Sequence, residues 1–95
     1  MELKVKDTVV ETFTNASGYA LYLALKPFFM NDQKIYVSFD TCGSTSSSFL
    51  NSSFGQLIED FGYSKFTELI TPKDLTVTQA QLLKKHISSY KLTVV

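Results

Sequence analysis

The feature that most constrains the fold is a change of hydrophobic period within residues 34–62. The alternation of Ile35, Val37 and Phe39 with more polar neighbours predicts a half-buried or central β-strand. Further on, the apolar residues recur at the three-and-four spacing of one helix face: Leu50, Phe54, Leu57, Ile58 and Phe61. Gly62 follows where a left-handed C-terminal cap belongs. We therefore predict a strand, a polar loop and a helix in succession.

The N-terminal part predicts extended chain followed by a helix. Alternation over residues 2–6 indicates a short strand, and residues 9–13 indicate a second extended piece, unless both belong to one bent strand. Helix-start chemistry follows, with Asn15 or Ser17 capping free backbone N–H groups. The buried stripe of this helix is Leu21, Ala24, Leu25 and Phe28. Pro27 lacks an amide proton, so we expect the helix to end or kink just before it.

The C-terminal part predicts one more strand and one more helix. Residues 65–70 form a run short enough for a third strand, which Pro72 ends. Thr76 and Gln79 form a capping box, with a second such pair two residues on, so a last helix starts here. Its apolar stripe is Ala80, Leu83, Ile87 and Tyr90. Residues 92–95 are predicted to add an edge strand or to form a frayed tail.

The order of these elements predicts an α/β fold, with about three helices on a small mixed sheet that is partly parallel. The chain of 95 residues is the size of one domain, so we assign residues 1–95 to a single domain. Nine Lys and nine acidic residues give a formal net charge of zero, which argues against a nucleic-acid or membrane partner.

Cysteine usage and the N-terminus indicate the compartment. Cys42 is the only cysteine and cannot form an internal disulfide, which favours a reducing environment. The N-terminus lacks a basic and then apolar signal pattern, and no apolar run approaches the roughly 18 residues of a membrane span. We expect a cytoplasmic protein.

The residue types needed for catalysis are not grouped in the sequence. A serine nucleophile needs a base, and the one histidine, His86, lies far along the last helix. The loop 43–48 has neither the second Gly nor the Lys of a phosphate-binding loop. One cysteine and one histidine supply no metal-ligand set, and no neighbouring cation in the sequence lowers the pKa of Cys42. We expect no enzyme activity, no cofactor and no metal.

Three short motifs lie in this central region: Phe39-Asp40 at the strand end, Ser46 to Leu50 at the helix start and Phe54-Gly55 within the helix. They resemble motifs of the STAS-like domain family, small relatives of the sulphate-transporter and anti-sigma factor antagonist fold. Ser17-Gly18 is similar to the start of the family's first helix. The resemblance covers roughly residues 13 to 75 and implies a STAS-like fold.

Two positions depart from the family pattern. Asn15 and Ala16 stand where the family often has an Arg before the Ser-Gly pair, and this chain has no Arg. An anion-binding role of that Arg therefore cannot be carried over to this chain. Asn51 stands where the family usually has an acidic residue.

The resemblance also implies a candidate site and a function. In regulatory relatives of the STAS fold, a partner kinase phosphorylates a Ser at the start of this helix and so switches binding. By position that residue is Ser47, and Ser46 stands where those relatives have Asp. The implied function is a regulatory protein-binding module resembling an anti-sigma factor antagonist. A histidine-kinase-like ATPase or an anti-sigma factor is the kind of partner it implies.

The residues themselves leave alternatives open. Ser46, Ser47 and Ser48 either only cap the helix, which is worth about 1 kcal/mol, or include a phospho-acceptor and partner contact. The acid-free first turn would receive a phosphate without local repulsion. Asp40 either bonds the amides of the following loop, at Cys42 and the next residue, or acts as an electrostatic companion of the serines.

A second function from another class therefore remains. The chain could be a small structural or inhibitory interaction protein, for example one encoded by a phage or mobile element, without phosphoregulation. Its oligomeric state is open.

Overall fold

The computed structural model describes residues 1–93, with side chains described as far as Tyr90. Three short strands, β1 (Glu2–Lys4), β2 (Ile35–Ser38) and β3 (Ile70–Lys73), form a sheet in the order β1-β2-β3. Both pairings are parallel. The predicted α/β fold is confirmed, with β2 as the central strand, and the pairings among the described strands are all parallel rather than mixed.

The helices have the following bounds: α1 (Val5–Thr8), α2 (Asn15–Met30), α3 (Ser47–Leu50), a π-helical turn (Asn51–Gly55), α4 (Gln56–Phe61), α5 (Tyr63–Leu69) and α6 (Val77–Thr93). Helix α3, the π turn and α4 follow one another without a break, and we call residues 47–61 the central helix. The three predicted helices correspond to α2, the central helix and α6. The short helices α1 and α5 were not predicted.

The predicted core is confirmed. Side chains from β2 and its C-terminal end lie against the central helix, and the six predicted members are at most 2% exposed: Ile35, Val37, Phe39, Leu50, Phe54 and Leu57. The Phe54 ring meets the rings of Phe39 and Phe66 edge-on, with centroid distances of 6.1 and 5.2 Å. Such edge-to-face packing is a favourable aromatic geometry. Phe54 therefore joins the sheet, the central helix and α5.

Helix α2 approaches the central helix at a glycine. A Cβ atom on Gly18 would lie 2.5 Å from the Phe49 carbonyl oxygen and 2.8 Å from the Ser52 Cβ. Ser52 also donates a hydrogen bond of 2.9 Å to the Asn15 side-chain oxygen. The Ser17-Gly18 pair therefore has a physical role, because only glycine permits this backbone distance.

The predicted cap of α2 was wrong. The cap is Thr14 rather than Asn15 or Ser17, since the Thr14 hydroxyl accepts the Ser17 N–H at 3.2 Å. Of the two outcomes predicted at Pro27, the helix does not end there but continues to Met30. Pro27 is exposed, so solvent can satisfy the carbonyl that lacks an N–H partner on that face.

The predicted strand at residues 65–70 was also wrong. Residues 63–69 form α5, in which Phe66 and Leu69 share one buried face at helical spacing, and the strand β3 begins only at Ile70. Pro72 lies inside β3 instead of ending it, which an edge strand tolerates because one side of its backbone needs no partner.

Residues 9–13 form no strand, and Val5 begins α1 rather than continuing β1. Of the predicted C-terminal strand, Leu92 and Thr93 belong to α6, while Val94 and Val95 lie outside the described residues.

The predicted ends of the central helix and of α6 are supported by hydrogen bonds and backbone angles. The Gln79 side chain accepts the Thr76 N–H at 2.9 Å, and the Thr76 hydroxyl accepts the Gln79 N–H at 3.1 Å. This is the predicted capping box. Gly62 ends the central helix with φ +95°, although its ψ of 152° is extended rather than that of a left-handed helical cap.

The complete burial of Phe54 predicts that Phe54→Ala lowers the free energy of unfolding by about 3–5 kcal/mol, because removal of the ring leaves a cavity among packed neighbours. Urea unfolding measures the change. Phe13→Ala is the matched control, since the same atoms are removed from a ring that is 58% exposed. Similar losses for the two variants would contradict the assigned core.

The helix contact predicts that Gly18→Ala lowers the free energy of unfolding by about 1–3 kcal/mol, because the added methyl group meets a backbone oxygen. Intrinsic helix propensity alone predicts the opposite sign. Gly43→Ala is the control, since its Cβ would meet no atom within 4 Å. Thermal and urea unfolding of both variants decide the sign, and a stabilised Gly18→Ala protein would show that the helices can separate at no cost.

Candidate functional site

The loop after β2 is held at the C-terminal edge of the parallel sheet by residues 9–13. The Thr12 hydroxyl donates to the Ser44 carbonyl at 2.6 Å, and the Ser46 N–H donates to the Thr12 carbonyl at 3.1 Å. Within the loop, Thr41 has φ +58°, which is uncommon for a β-branched residue. The irregular segment 9–13 therefore has a function in the fold, because it fixes the path of the chain into the central helix.

Ser46 is the helix cap. Its hydroxyl accepts the Phe49 N–H at 3.1 Å and donates to the Phe13 carbonyl at 2.9 Å. Both hydrogen-bonding functions of this side chain are thereby used in holding the helix start to the preceding segment. Of the three candidate serines, Ser46 accounts for the capping role.

Ser47 and Ser48 are exposed, and neither hydroxyl makes a hydrogen bond to another described residue. Ser47 borders a cleft of about 240 Å³ between the start of the central helix and α6. The cleft is lined by Ser47, Leu82, Lys85, His86 and Ser89. Ser47 thus combines an accessible hydroxyl with basic side chains opposite it.

Asp40 does not have the predicted role in the loop. Its side chain is exposed and accepts no hydrogen bond from the described part of the chain, and the Cys42 N–H donates instead to the Phe39 carbonyl at 3.0 Å. The Asp40 N–H donates to the Ser38 hydroxyl at 3.2 Å. Asp40 is also not among the residues that line the Ser47 cleft.

His86, which lines the Ser47 cleft, forms a hydrogen bond to Asn51 of the π turn. The His86 Nε2 lies 2.5 Å from the Asn51 side-chain oxygen, which can only accept, so Nε2 carries the proton. The Nδ1 atom is buried without a partner among the described residues. Burial lowers the pKa of His86, because a second proton would place an unpaired charge in the interior.

A second cleft, of about 210 Å³, lies beside the loop after β2. It is lined by Lys6, residues 9–13 and residues 41–44. Val10 and Phe13 border it and are 97% and 58% exposed. Because the Ser46 hydroxyl donates to the Phe13 carbonyl, the segment that carries these apolar side chains is attached to the start of the central helix. Exposed apolar residues grouped beside a cleft are typical of interaction surfaces.

Cys42 borders this second cleft, but its thiol is not activated. Burial raises the pKa of Cys42 and outweighs the opposite effects of the Lys6 backbone and the Lys6 charge. The thiolate is the reactive form, so the raised pKa keeps Cys42 as a weakly reactive thiol.

Sequence reasoning missed Lys85, His86 and Asn51 as neighbours of Ser47. The spacing of Leu82, Lys85, His86 and Ser89 is that of one helix face, and this signal was available once the Thr76 capping box fixed the start of α6. What the sequence does not contain is the packing of that face against residue 47, a contact between segments almost 40 positions apart.

Two further properties bear on the class of site. No helix among the described residues is both long and apolar enough to cross a membrane. Within residues 1–93, His, Cys, Asp and Glu side chains form no cluster of three that could hold a metal ion.

The His86 geometry predicts a pH dependence of stability. The folded-state pKa lies below the ordinary value of 6.5, so below that pH the unfolded chain binds more protons and stability falls as pH decreases. The free energy of unfolding should therefore decline from pH 7.5 to 5.5 in the wild type. His86→Gln should remove most of this slope, since His86 is the only histidine. An equal slope in both proteins would mean that other groups cause it.

The geometry of strand end, loop and helix start agrees with the comparison to known protein families. The model of a family described as a STAS-like domain of unknown function (DUF4325) matches residues 17–80, more than half of the chain. No curated protein and no solved structure matches this chain. The matched range contains the Ser17-Gly18 pair, the loop after β2 and the whole central helix. The chain belongs to this STAS-like domain family.

Proposed function

We propose that the protein is a non-catalytic regulatory module that binds a protein partner at the start of the central helix and that phosphorylation of Ser47 switches this binding. By resemblance to anti-sigma factor antagonists, a histidine-kinase-like ATPase or an anti-sigma factor is the kind of partner we expect. The observation that supports the proposal is a difference between two adjacent serines. The Ser46 hydroxyl caps the helix, whereas the Ser47 hydroxyl is exposed and makes no hydrogen bond to another described residue.

The surroundings of this helix start support a protein as the partner. Val10 and Phe13 supply exposed apolar area beside it, and Ser46 attaches that segment rigidly to the helix. Ser48 is exposed next to Ser47 and belongs to the same surface. Burial of such apolar side chains at an interface gives affinity, while the hydroxyls give polar contacts at its rim.

A phosphate at Ser47 would act on binding more than on folding. It adds about 1.5 to 2 negative charges at an exposed position in a helix turn that contains no acidic residue. Within the folded chain this charge meets the positive end of the helix dipole, which is favourable. Within an interface the same charge must be desolvated or placed beside the partner's own groups, which is costly.

The absence of catalysis is part of the proposal. The His86 Nε2 hydrogen is engaged with Asn51, and the lone pair of Nδ1 is buried, so His86 is poorly placed to take a proton from Ser47. The raised pKa of Cys42 disfavours a thiolate nucleophile. Asp40 is proposed only as a peripheral part of the binding surface, because it lies outside the Ser47 cleft.

The proposal predicts different effects of Ser47→Ala and Ser47→Asp. Ser47→Asp should keep the thermal midpoint of the wild type but lower capture of the wild-type partner from native cell extract about tenfold, equivalent to 1.4 kcal/mol. Ser47→Ala should retain capture. Ser64→Asp, the same change at an exposed position of α5, is the control and should leave capture unaltered. Mass spectrometry of protein from its native cell should find phosphate on Ser47.

Equal capture by Ser47→Ala and Ser47→Asp, with no phosphate on Ser46, Ser47 or Ser48, would contradict the switch. The function would then be that of a small structural or inhibitory interaction protein whose serines only cap and solvate the helix.

A further inference from the structure

The Ser47 cleft contains a cation without a matching anion. Its lining residues from α6 are Leu82, Lys85, His86 and Ser89, which follow one another at the spacing of a single helix face. Among the described residues, none that lines the cleft is acidic. Helix α3 and α6 are packed neighbours, so this face of α6 lies opposite the Ser47 hydroxyl.

Lys85 has no carboxylate partner among the described residues. The ion pairs among the described residues join Lys65 to Asp32 at 2.8 Å and Lys73 to Glu2 at 2.7 Å. None of these four residues lines the cleft. Next to Lys85 in the sequence, the His86 Nδ1 is a buried polar atom with no partner in the described part of the chain. Among the described residues, the cleft therefore presents the positive charge of Lys85 with no carboxylate paired to it.

We propose that Lys85 holds the phosphate of phosphorylated Ser47 across this cleft and thereby fastens α6 to the start of the central helix. The inference rests on the proposed phosphorylation of Ser47 and adds the residue that responds to it within the chain. In the modification, the Ser47 oxygen attacks the γ-phosphorus of a nucleoside triphosphate on a protein kinase. The new O–P bond replaces the bond to the nucleoside diphosphate, which leaves, and the hydroxyl proton passes to a base of the kinase.

The ammonium group of a lysine and a phosphate form a strong charge-assisted hydrogen bond. The flexible four-carbon stem of Lys85 permits this contact without movement of the helix backbones. The bond would link residue 47 to residue 85 and so add a tie between α6 and the rest of the fold. Phosphorylation would then change the surface in two ways, by adding charge at Ser47 and by fixing α6 beside it.

The test uses full-length protein with phosphoserine incorporated at position 47 during synthesis, without any partner or kinase. The pH titration of its ³¹P NMR signal measures the second pKa of the phosphate, which is about 6 for an unperturbed group. Lys85→Ala in the same phosphoprotein should raise this pKa by at least about 0.5 unit, because an opposite charge close by favours the dianion.

Lys84→Ala is the matched control. It removes the same charge from the adjacent position, which is exposed and does not line the cleft, so it should leave the phosphate pKa within about 0.1–0.2 unit of the parent. A second readout is thermal unfolding: phosphorylation should raise the midpoint in the parent and in Lys84→Ala, and should raise it less in Lys85→Ala.

An unchanged phosphate pKa in Lys85→Ala, or equal shifts in the two lysine variants, would overturn the assignment of Lys85. These outcomes are separate from a failure of the proposed function. Partner capture can respond to Ser47→Asp even when Lys85 does not contact the phosphate. Conversely, a lowered phosphate pKa that depends on Lys85 can be measured in a protein that shows no switchable capture.

Discussion

The contact between α2 and the central helix is the constraint on which the rest of the structure depends. At Gly18 the two backbones approach so closely that a single methyl group would meet the Phe49 carbonyl. This fixes the start of the central helix against α2, while Phe54 and its neighbours fix the middle of that helix against β2. The loop after β2 must therefore reach a helix start whose position is already set, and the hydrogen bonds to Thr12 and Phe13 secure its path.

The π turn reconciles the two ends of the central helix. Phe49 and Phe54 are five residues apart, and both are fully buried. In a regular α-helix a separation of five turns a side chain well away from its predecessor, whereas the wider π turn at residues 51–55 accommodates one extra residue. The turn also directs the side chain of Asn51 toward His86 of α6. The same local irregularity thus serves core packing and the attachment of α6.

The serine-rich run has different roles at neighbouring positions. Ser46 caps the helix, Ser52 bonds Asn15, and the buried Ser53 donates to the Phe49 carbonyl at 2.8 Å. Buried hydroxyls need such partners, because an unpaired one would cost free energy. Ser47 and Ser48 have no comparable structural use among the described residues. The serines of this stretch therefore fall into two groups. One group stabilises the fold by internal hydrogen bonds, and the other, Ser47 and Ser48, is exposed.

Local patterns allowed much of this fold to be predicted. The strand at residues 35–38, the apolar face of the central helix and the Thr76 capping box each follow from short-range periodicity or side-chain chemistry. The strand prediction for residues 65–70 was wrong because their short apolar pattern fits a helix turn as well as a strand. Packing of Phe66 in the core favours the helix. The contact of Lys85 with the Ser47 cleft depends on tertiary packing, for which one sequence carries no signal.

The range matched by the family model ends between the two residues of the proposed phosphate contact, Ser47 and Lys85. Residues 17–80 include Ser47 and the cap that presents it, whereas Lys85 and His86 lie beyond the matched range. The exposed serine of this chain thus lies within the matched range, and the basic side chains opposite it come from the later turns of α6. A helix with a different sequence in those turns would leave the core packing of Phe54 intact but would change the charge beside Ser47.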